Sequence, residues 1–487
     1  MPAFDYDIAI IGGGAAGLSV AAGASRLGAR TLLVEREPKL GGDCLHYGCV
    51  PSKTLIATAQ ARQVMAGAER YGLAPVALPP VDFARVRERI ASVVADIQRH
   101  DSVERFCSLG AEVRFGQAQF IDEHTAEVDD RRVSAAKWVI ATGSRAKIPP
   151  VPGLALTPHL TNREIFSLER LPERLVVLGG GPVAVELAQA FRRLGSQVEV
   201  VQRSGRILTR DDADMAAVVQ AALETEGVRL HLGTELVRVQ VEGGSVGVAF
   251  TQAGQERTVS GDALLVALGR TPNVEGLGLE AAGVAYDAKG IKVDARLRAT
   301  QKHIFACGDV TGAWQFTHAA GYEAGVVVAN AVLRLPRKAD YTWMPWCTYT
   351  DPALGGVGLT ETQARKAGVA FRVVEEHFAD NDKARAEGRP EGRVKLLLGS
   401  GGKPLGVHVA GAGAGELLSE WAVALAGGVS LARLAGIVHP YPSRGETAKT
   451  LAGRLMGETL FSPTVKKALH YVFGLKGRAC GQEGDGN

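Results

Sequence analysis

One stretch of this chain occurs twice. Residues 7–36, DIAIIGGGAAGLSVAAGASRLGARTLLVER, return at 174–203 as RLVVLGGGPVAVELAQAFRRLGSQVEVVQR. The offset of 167 is constant, so Gly12 aligns with Gly179, Gly14 with Gly181, Gly17 with Ala184 and Gly28 with Gly195. Each copy passes from a short apolar run through a G-x-G-x-x-[G/A] turn into an alanine-rich segment. A Leu-Gly stop and a second apolar run follow. That order predicts a βαβ unit with the glycines at the first strand-to-helix turn. The first glycine permits the turn, and the second lets the backbone approach a pyrophosphate. The third position packs helix on strand, leaving the phosphates at the helix N-terminus. A lone turn of this kind is weak evidence. Two in the same context predict two dinucleotide sites.

The copies differ where the second strand ends. The first has Glu35, an acid suited to a ribose 2′-hydroxyl, as in FAD or NAD. The second has Gln202, which removes the charge that would repel a 2′-phosphate, and Arg203 and Arg206 follow. The second site therefore leans to NADP(H), with NAD(H) left open.

Composition narrows the remaining classes. The 487 residues allow about three or four domains. At 46% hydrophobic and 22% charged, the chain has the balance of a globular protein. A net charge of +3 and 6% aromatic residues do not point to nucleic-acid binding. Glycine, 60 residues, is in excess and clusters after apolar runs. The start of the chain does not read as a signal peptide, and no long uncharged apolar run suggests a spanning helix. The expected location is cytoplasmic, where a close cysteine pair is catalytic rather than structural.

Cys44 and Cys49, in GGDCLHYGCVPSKTLI, form such a pair. On a regular helix five residues rise about 7.5 Å. A disulfide needs Cα atoms roughly 4.4–6.8 Å apart. The pair either stays reduced or sits on a bent turn, for which Gly48 and Pro51 are suited. Two small packed thiols are the plain alternative. No metal site is expected, since C-x4-C lacks a second ligand pair.

Two dinucleotide folds flanking G-G-x-C-x-x-x-x-G-C-V-P-S-K resemble the class I pyridine nucleotide–disulfide oxidoreductases, among them lipoamide dehydrogenase, glutathione reductase and mercuric reductase. The resemblance covers residues from about 5 to about 460. AlaThrGlySer at 141–144, LeuGlyArgThrProAsn at 268–273, PheAlaCysGlyAspVal at 305–310 and the GAGAGELL run at 411–418 match later family segments in order. The implied fold is α/β: two Rossmann-like domains, for FAD and NAD(P), plus an α+β C-terminal dimerisation domain. The implied boundaries are 1–151 and 271–341 for the two parts of the FAD domain, 152–270 for the NAD(P) domain and 342–460 for dimerisation. A helical extension occupies 461–487.

The resemblance also implies roles. Gly12, Gly14, Gly17, Glu35, Arg36, Gly42, Ala118, Thr142, Gly143, Gly269, Arg270 and Asp309 would hold FAD. Gly179, Gly181, Ala184, Gln202, Arg203 and Arg206 would hold the nicotinamide cofactor. Cys49 matches the sulfur nearest the flavin and Cys44 the outward one. Lys53 and Glu186 match an ion pair beside the flavin and nicotinamide rings, where a cation favours an anionic ring. The implied enzyme is a homodimer with active sites shared across the interface. It would pass electrons from NADPH through FAD and the Cys44–Cys49 disulfide to a small-molecule or metal-ion acceptor.

The chain departs from the family in HisProTyrProSerArgGlyGlu, 439–446. Dithiol-reducing members place a His–Pro five residues before a Glu. Counting back from Glu446 lands on Tyr441. A phenol with reference pKa ~10 is a poor base at neutral pH, whereas imidazole at ~6.5 is well placed. Tyr441 and Glu446 thus stand at the family's catalytic positions; His439, two residues earlier, reads as structural first, and as the substitute base only where the backbone presents it differently. Tyrosine here resembles mercuric reductase, but that family delivers Hg(II) through two adjacent C-terminal cysteines, and this chain has Cys480 alone. Asp43, His46 and Tyr47 also depart from the usual Thr, Asn and Val. Cys107, Cys307 and Cys347 read as packed small residues.

Beyond the common body, Val465, Leu469, Val472 and Phe473 share one helical face, which predicts docking on the enzyme's own surface or, less favoured, peripheral membrane contact. The reading is a disulfide or soft-metal reductase. The alternatives are a dihydrolipoamide dehydrogenase-type subunit, or a low-turnover flavin redox sensor or interaction protein.

Overall fold

A computed structural model describes residues 4–477; Cys480 lies outside them. The chain divides into two compact units, Met1–Asp351 and Pro352–Asn487.

In the first unit both copies of the repeat fold as βαβ. Ile8–Ile11, the helix Ala15–Arg26 and Thr31–Glu35 form the first; Arg174–Leu178, the helix Pro182–Leu194 and Gln197–Gln202 form the second. Within each copy the two strands pair in parallel, Ile8 beside Thr31 and Arg174 beside Gln197. The helices form because alanine-rich segments lose little side-chain entropy. Pro182 starts the second helix at a position where its missing N–H costs nothing.

The strand order of the first sheet is Ile304–Ala306, Trp138–Ile140, Ile8–Ile11, Thr31–Glu35, Ala111–Phe115. The chain winds outward from Ile8–Ile11 in both directions, so the glycine turn after Ile11 stands at the topological switch point, where such sheets bind ligands. The second sheet runs Arg229–Leu232, Gln197–Gln202, Arg174–Leu178, Ala263–Val266, and repeats this arrangement around Arg174–Leu178. An antiparallel three-stranded sheet is inserted in each half, Ala118–Ser134 and Thr234–Gly261.

The central strands are apolar on both faces because helices and the inserted sheets cover both sides. Leu32, Leu33, Trp138, Val177 and Leu265 have no solvent exposure. Each such side chain contributes roughly 1.5–3 kcal/mol by leaving water. The Trp138 indole N–H donates to the His124 carbonyl at 2.9 Å, so its burial leaves no donor unsatisfied.

In the second unit Ala353–Gly358, Pro404–Gly411, Gly392–Leu398 and Arg372–His377 pair antiparallel in that order, with the helices Ala414–Ala426 and Glu446–Leu460 among those accompanying them. The fold class is α/β with two Rossmann-like sheets and a C-terminal α+β unit. No helix among the described residues is long and apolar enough to cross a membrane.

One expectation fails here. The helix Pro463–Phe473 forms, with Ser462 capping Val465, but none of its residues is buried. Leu469, Val472 and Phe473 remain exposed rather than docked on the chain's own surface, because a turn at Phe461 and Ser462 begins a separate helix. Cys107 is likewise exposed rather than packed, whereas Cys307 is buried.

Candidate active site

Both glycine turns leave a helix N-terminus uncapped by any side chain. At Gly12, with φ +112°, a Cβ would stand 2.3 Å from the Ala141 carbonyl oxygen, and at Gly17 it would stand 1.8 Å from that of Gly12. These two glycines let strand and helix close on each other. Gly14 differs: a Cβ there would meet nothing nearer than Gly42 Cα, at 3.8 Å. Gly14 caps the helix Ala15–Arg26 with no side-chain hydrogen bond, so the first-turn N–H groups are left to a ligand. Gly42, with φ +60°, approaches so closely that a Cβ would lie 2.6 Å from Gly14 Cα.

Glu35 is buried. It accepts from the backbone N–H of Gly13 at 2.6 Å and of Glu37 at 2.8 Å, which fixes the carboxylate beside the turn. Arg36 is exposed, and Ala118 is buried at the start of its inserted sheet. The uncapped helix start and the acid at the strand end fit the ADP half of a dinucleotide such as FAD.

The second turn repeats this. Gly179 has φ +111°, and a Cβ at Gly181 would meet nothing within 4 Å. Gly181 caps its helix without a side-chain hydrogen bond, and the buried Ala184 methyl takes the third position. Gln202 faces Gly180, within 3.0 Å of a Cβ placed there. Arg203 is exposed. Arg206 is not: its guanidinium donates to the carbonyls of Ile207, Leu208, Thr209 and Asp211 at 2.8–3.3 Å. Its charge serves the loop, which leaves Arg203 as the side chain open to a ligand.

The cysteine pair lies on two helices rather than one. Gly42–His46 carries Cys44, and Cys49 opens Cys49–Ala66. The break between them requires Gly48, where a Cβ would stand 2.9 Å from the Asp43 carbonyl oxygen and 3.1 Å from Cys44 Cα. The two sulfurs are not bonded to each other in this structure. Thr317, first residue of the helix Thr317–Ala331, places its hydroxyl oxygen 3.1 Å from Cys44 Sγ and 3.4 Å from Cys49 Sγ.

The two sulfurs are driven apart in acidity. Cys44 donates its hydrogen bond to Cys49, and that bond and burial push the Cys44 thiol well up. Cys49 is pulled down to about 6, first by the bond from Cys44, then by Thr317 and the charge of Lys53, against a desolvation that works the other way. The thiolate therefore resides on Cys49.

Lys53 Nζ stands 2.7 Å from Glu186 Oε2. The other Glu186 oxygen accepts from the Tyr349 backbone N–H at 2.8 Å, and Lys53 lies over the Tyr349 ring, 4.6 Å from its centroid. Glu186 is thus fixed at both oxygens, and Lys53 is held by a carboxylate and a π face.

A second charged group assembles Asp43, Arg270 and Asp309. Arg270 donates to Asp43 at 2.8 Å and to the Ser144 hydroxyl at 2.7 Å, and Ser144 donates to Asp309 at 2.5 Å. Burial raises the Asp309 carboxyl. Arg270 opens the short strand Arg270–Pro272, which Gly269 precedes. Thr142 and Gly143 join it through Asn273: Thr142 donates to the Asn273 carbonyl at 2.7 Å and the Asn273 N–H donates to the Gly143 carbonyl at 3.0 Å. Asp43 also accepts from Asn162, and the Arg163 guanidinium lies over the Tyr47 ring. His46 is bonded to the Leu40 carbonyl. The unusual residues around the cysteines thus have partners of their own.

In the second unit Tyr441 is exposed, and its hydroxyl donates to Asp382 Oδ2 at 2.9 Å. That bond and the charges of Asp382 and Glu446 raise the phenol. His439 pairs with Glu420 at 2.7 Å. Glu446 accepts from the Ser443 backbone N–H at 3.1 Å, at the start of its helix.

Ser144 stands in the AlaThrGlySer segment, but Thr317, Tyr349, Asn162, Asp382 and Glu420 were not foreseen. Each meets its partner across the fold, and no local spacing announces it. The segment after PheAlaCysGlyAspVal was the one available pointer to Thr317.

Comparison with known proteins is consistent with this geometry. Residues 6–324 match the pyridine nucleotide-disulphide oxidoreductase family, and residues 344–452 match its dimerisation domain. A mercuric reductase of Streptomyces lividans is 35% identical over 454 residues, 92% of this chain and 95% of the relative. A dihydrolipoyl dehydrogenase of Thermus scotoductus is 34% identical over 455 residues, 91% and 95%. The HOCl-induced flavoprotein disulfide reductase RclA from Escherichia coli, solved as a Cu(II) complex, superposes with a TM-score of 0.82 at 29% identity, covering 92% of this chain and 99% of that one. The chain belongs to the pyridine nucleotide-disulphide oxidoreductases, FAD-dependent enzymes that use NAD(P)H and a redox-active disulfide.

Proposed function

We propose that this enzyme is an NADPH-dependent reductase whose Cys44–Cys49 dithiol serves a soft metal ion such as Hg(II) in preference to a dithiol or its disulfide. The observation that carries this reading is Tyr441, whose hydroxyl is bonded to Asp382 and whose acidity is weakened by it. A dithiol acceptor needs a base that works near neutral pH, and a weakened phenol is not one. A soft metal ion needs thiolates.

Bound FAD supplies the two-electron exchange between nicotinamide and disulfide. The residues do the rest. Gly12, Gly14 and Gly17 would present the helix start to the FAD pyrophosphate, with Glu35 at its adenosine ribose. Arg36, Gly42, Ala118, Thr142, Gly143, Gly269, Arg270 and Asp309 would complete that site. Gly179, Gly181, Ala184, Gln202 and Arg203 would take NADPH. Lys53, oriented by Glu186, would place a fixed cation beside the flavin. Cys49 holds a thiolate there and Cys44 keeps the proton until the acceptor arrives, when that proton passes to solvent. The Thr317 hydroxyl would donate to whichever sulfur carries the charge. Two chains would share sites through the dimerisation domain.

The test is NADPH oxidation with Hg(II), lipoamide, glutathione disulfide and quinones as acceptors. Turnover with Hg(II) well above the others supports the reading. Turnover led by lipoamide with NADH would make this a dihydrolipoamide dehydrogenase instead, and negligible turnover with all would leave a redox sensor.

A further inference from the structure

A cavity of about 210 Å³ opens in the first unit, lined by Lys137, Arg296, Arg298, Lys302, Asn330 and Arg334 among others. Five of these are cations, in a chain whose net charge is only +3. Asp294 pairs with Arg298 at 2.7 Å. Lys137, Arg296, Lys302 and Arg334 have no ion pair among the described residues.

The walls are built rather than loose. Asp294 accepts from the backbone N–H of Arg296 and of Arg298, closing a tight turn. The Asn330 amide donates to the carbonyls of Arg296 and Arg337 and accepts from the Arg337 N–H, tying that turn to the segment after the helix Thr317–Ala331. Leu297 and Arg334 have φ of +61° and +56°, two of the five non-glycine residues with positive φ among the described residues. Backbone held in that region costs energy and persists where the surroundings demand it. Here it sets Arg296 and Arg334 at one opening.

We propose that this cavity is a binding site for a small anion carrying two linked phosphate groups, either pyrophosphate or the polyphosphate of a nucleotide. By the same measure a single water needs only about 10–15 Å³, so the opening has room for a ligand of that size. Arginine forks match phosphate oxygens two at a time, and a concave basic wall concentrates anions. The local field already acts on the protein's own groups. Burial and the charge of Arg334 lower the Lys137 ammonium, and Lys137 in turn contributes to lowering His303, whose main cause is burial.

The experiment is calorimetric titration of the FAD-loaded full-length enzyme with pyrophosphate, in saturating NADP+ so that the coenzyme site is filled. Saturable binding that weakens as salt rises is expected. Arg296→Gln with Arg334→Gln should weaken it at least about tenfold and leave NADP+ affinity unchanged. Lys302→Gln alone should weaken it about threefold, which covers the case of a poorly folded double variant. ATP binding more tightly than pyrophosphate at the same site would identify a nucleotide as the source, and weaker ATP binding an inorganic one. Absence of pyrophosphate binding, or equal binding by wild type and both variants, overturns the proposal.

Discussion

Lys53 and Glu186 are 133 residues apart in the chain and 2.7 Å apart in space. The lysine is on the helix that Cys49 opens, and the glutamate is on the helix of the second glycine turn. One contact therefore joins the two cofactor-binding halves at the redox centre. The Glu186 side chain is only 6% exposed, against 37% for Lys53. Removing the lysine strands a buried carboxylate; neutralising the glutamate does not. Lys53→Met should cost about 3 kcal/mol of stability and Glu186→Gln about 1 kcal/mol. Urea unfolding of the FAD-bound enzyme measures both, and the reverse order would show that the buried Glu186 carboxylate does not depend on Lys53.

Cys49 should alkylate as a thiolate. In the reduced enzyme its rate with iodoacetamide should rise through a midpoint near pH 6 and level off above it. The bond from Cys44 is the largest cause of that low value, ahead of the charge of Lys53. Cys44→Ala should therefore move the midpoint up further than Lys53→Met does.

The second glycine turn should prefer NADPH. Arg203→Ala should cost NADPH about 1.5–3 kcal/mol of binding and leave NADH unaffected, because a phosphate–arginine contact is charge-assisted. Arg206→Ala should act differently. It removes four bonds to loop carbonyls, so both nucleotides and the thermal midpoint should suffer together. Stopped-flow flavin reduction with each nucleotide separates the two outcomes.

Gly17→Ala should be disruptive although alanine occupies the equivalent place in the second copy. Its Cβ would stand 1.8 Å from the Gly12 carbonyl oxygen. Relief requires the helix to move off the strand, at about 1–3 kcal/mol or more. Retention of FAD after gel filtration and the melting temperature report the loss.

Tyr441→Phe should leave stability and flavin reduction by NADPH unchanged, since the phenol is exposed, and should lower metal-ion turnover. His439→Ala should leave the low lipoamide turnover where it is, because His439 is engaged by Glu420. Tyr441→His should raise that turnover. Robust wild-type lipoamide turnover that vanishes in His439→Ala would assign the base to His439.

The features legible in the sequence were those with a steric or periodic requirement. Gly12 and Gly179 announce themselves because no other residue turns there, and the repeat exposed both sheets at once. The bend between the cysteines was readable from Gly48 for the same reason. Electrostatic partners were not. Arg206 reads as a phosphate ligand by its position after Gln202, but four carbonyls of its own loop claim it. Thr317 lies more than 260 residues from both cysteines, and only the folded chain brings it to them. The apolar face around Leu469 was readable, but amphipathicity says only that a face seeks cover, not where it finds it.

The bonds of Arg206 bear on how the coenzyme is received. A loop closed by its own guanidinium is already ordered when a ligand arrives, so little chain entropy is lost on association. The charge at residue 203, the proposed phosphate ligand, can then be exchanged without refolding the loop that displays it. With Arg203 as the proposed phosphate ligand, coenzyme choice and loop architecture would be separable traits in this protein, held on two arginines three positions apart.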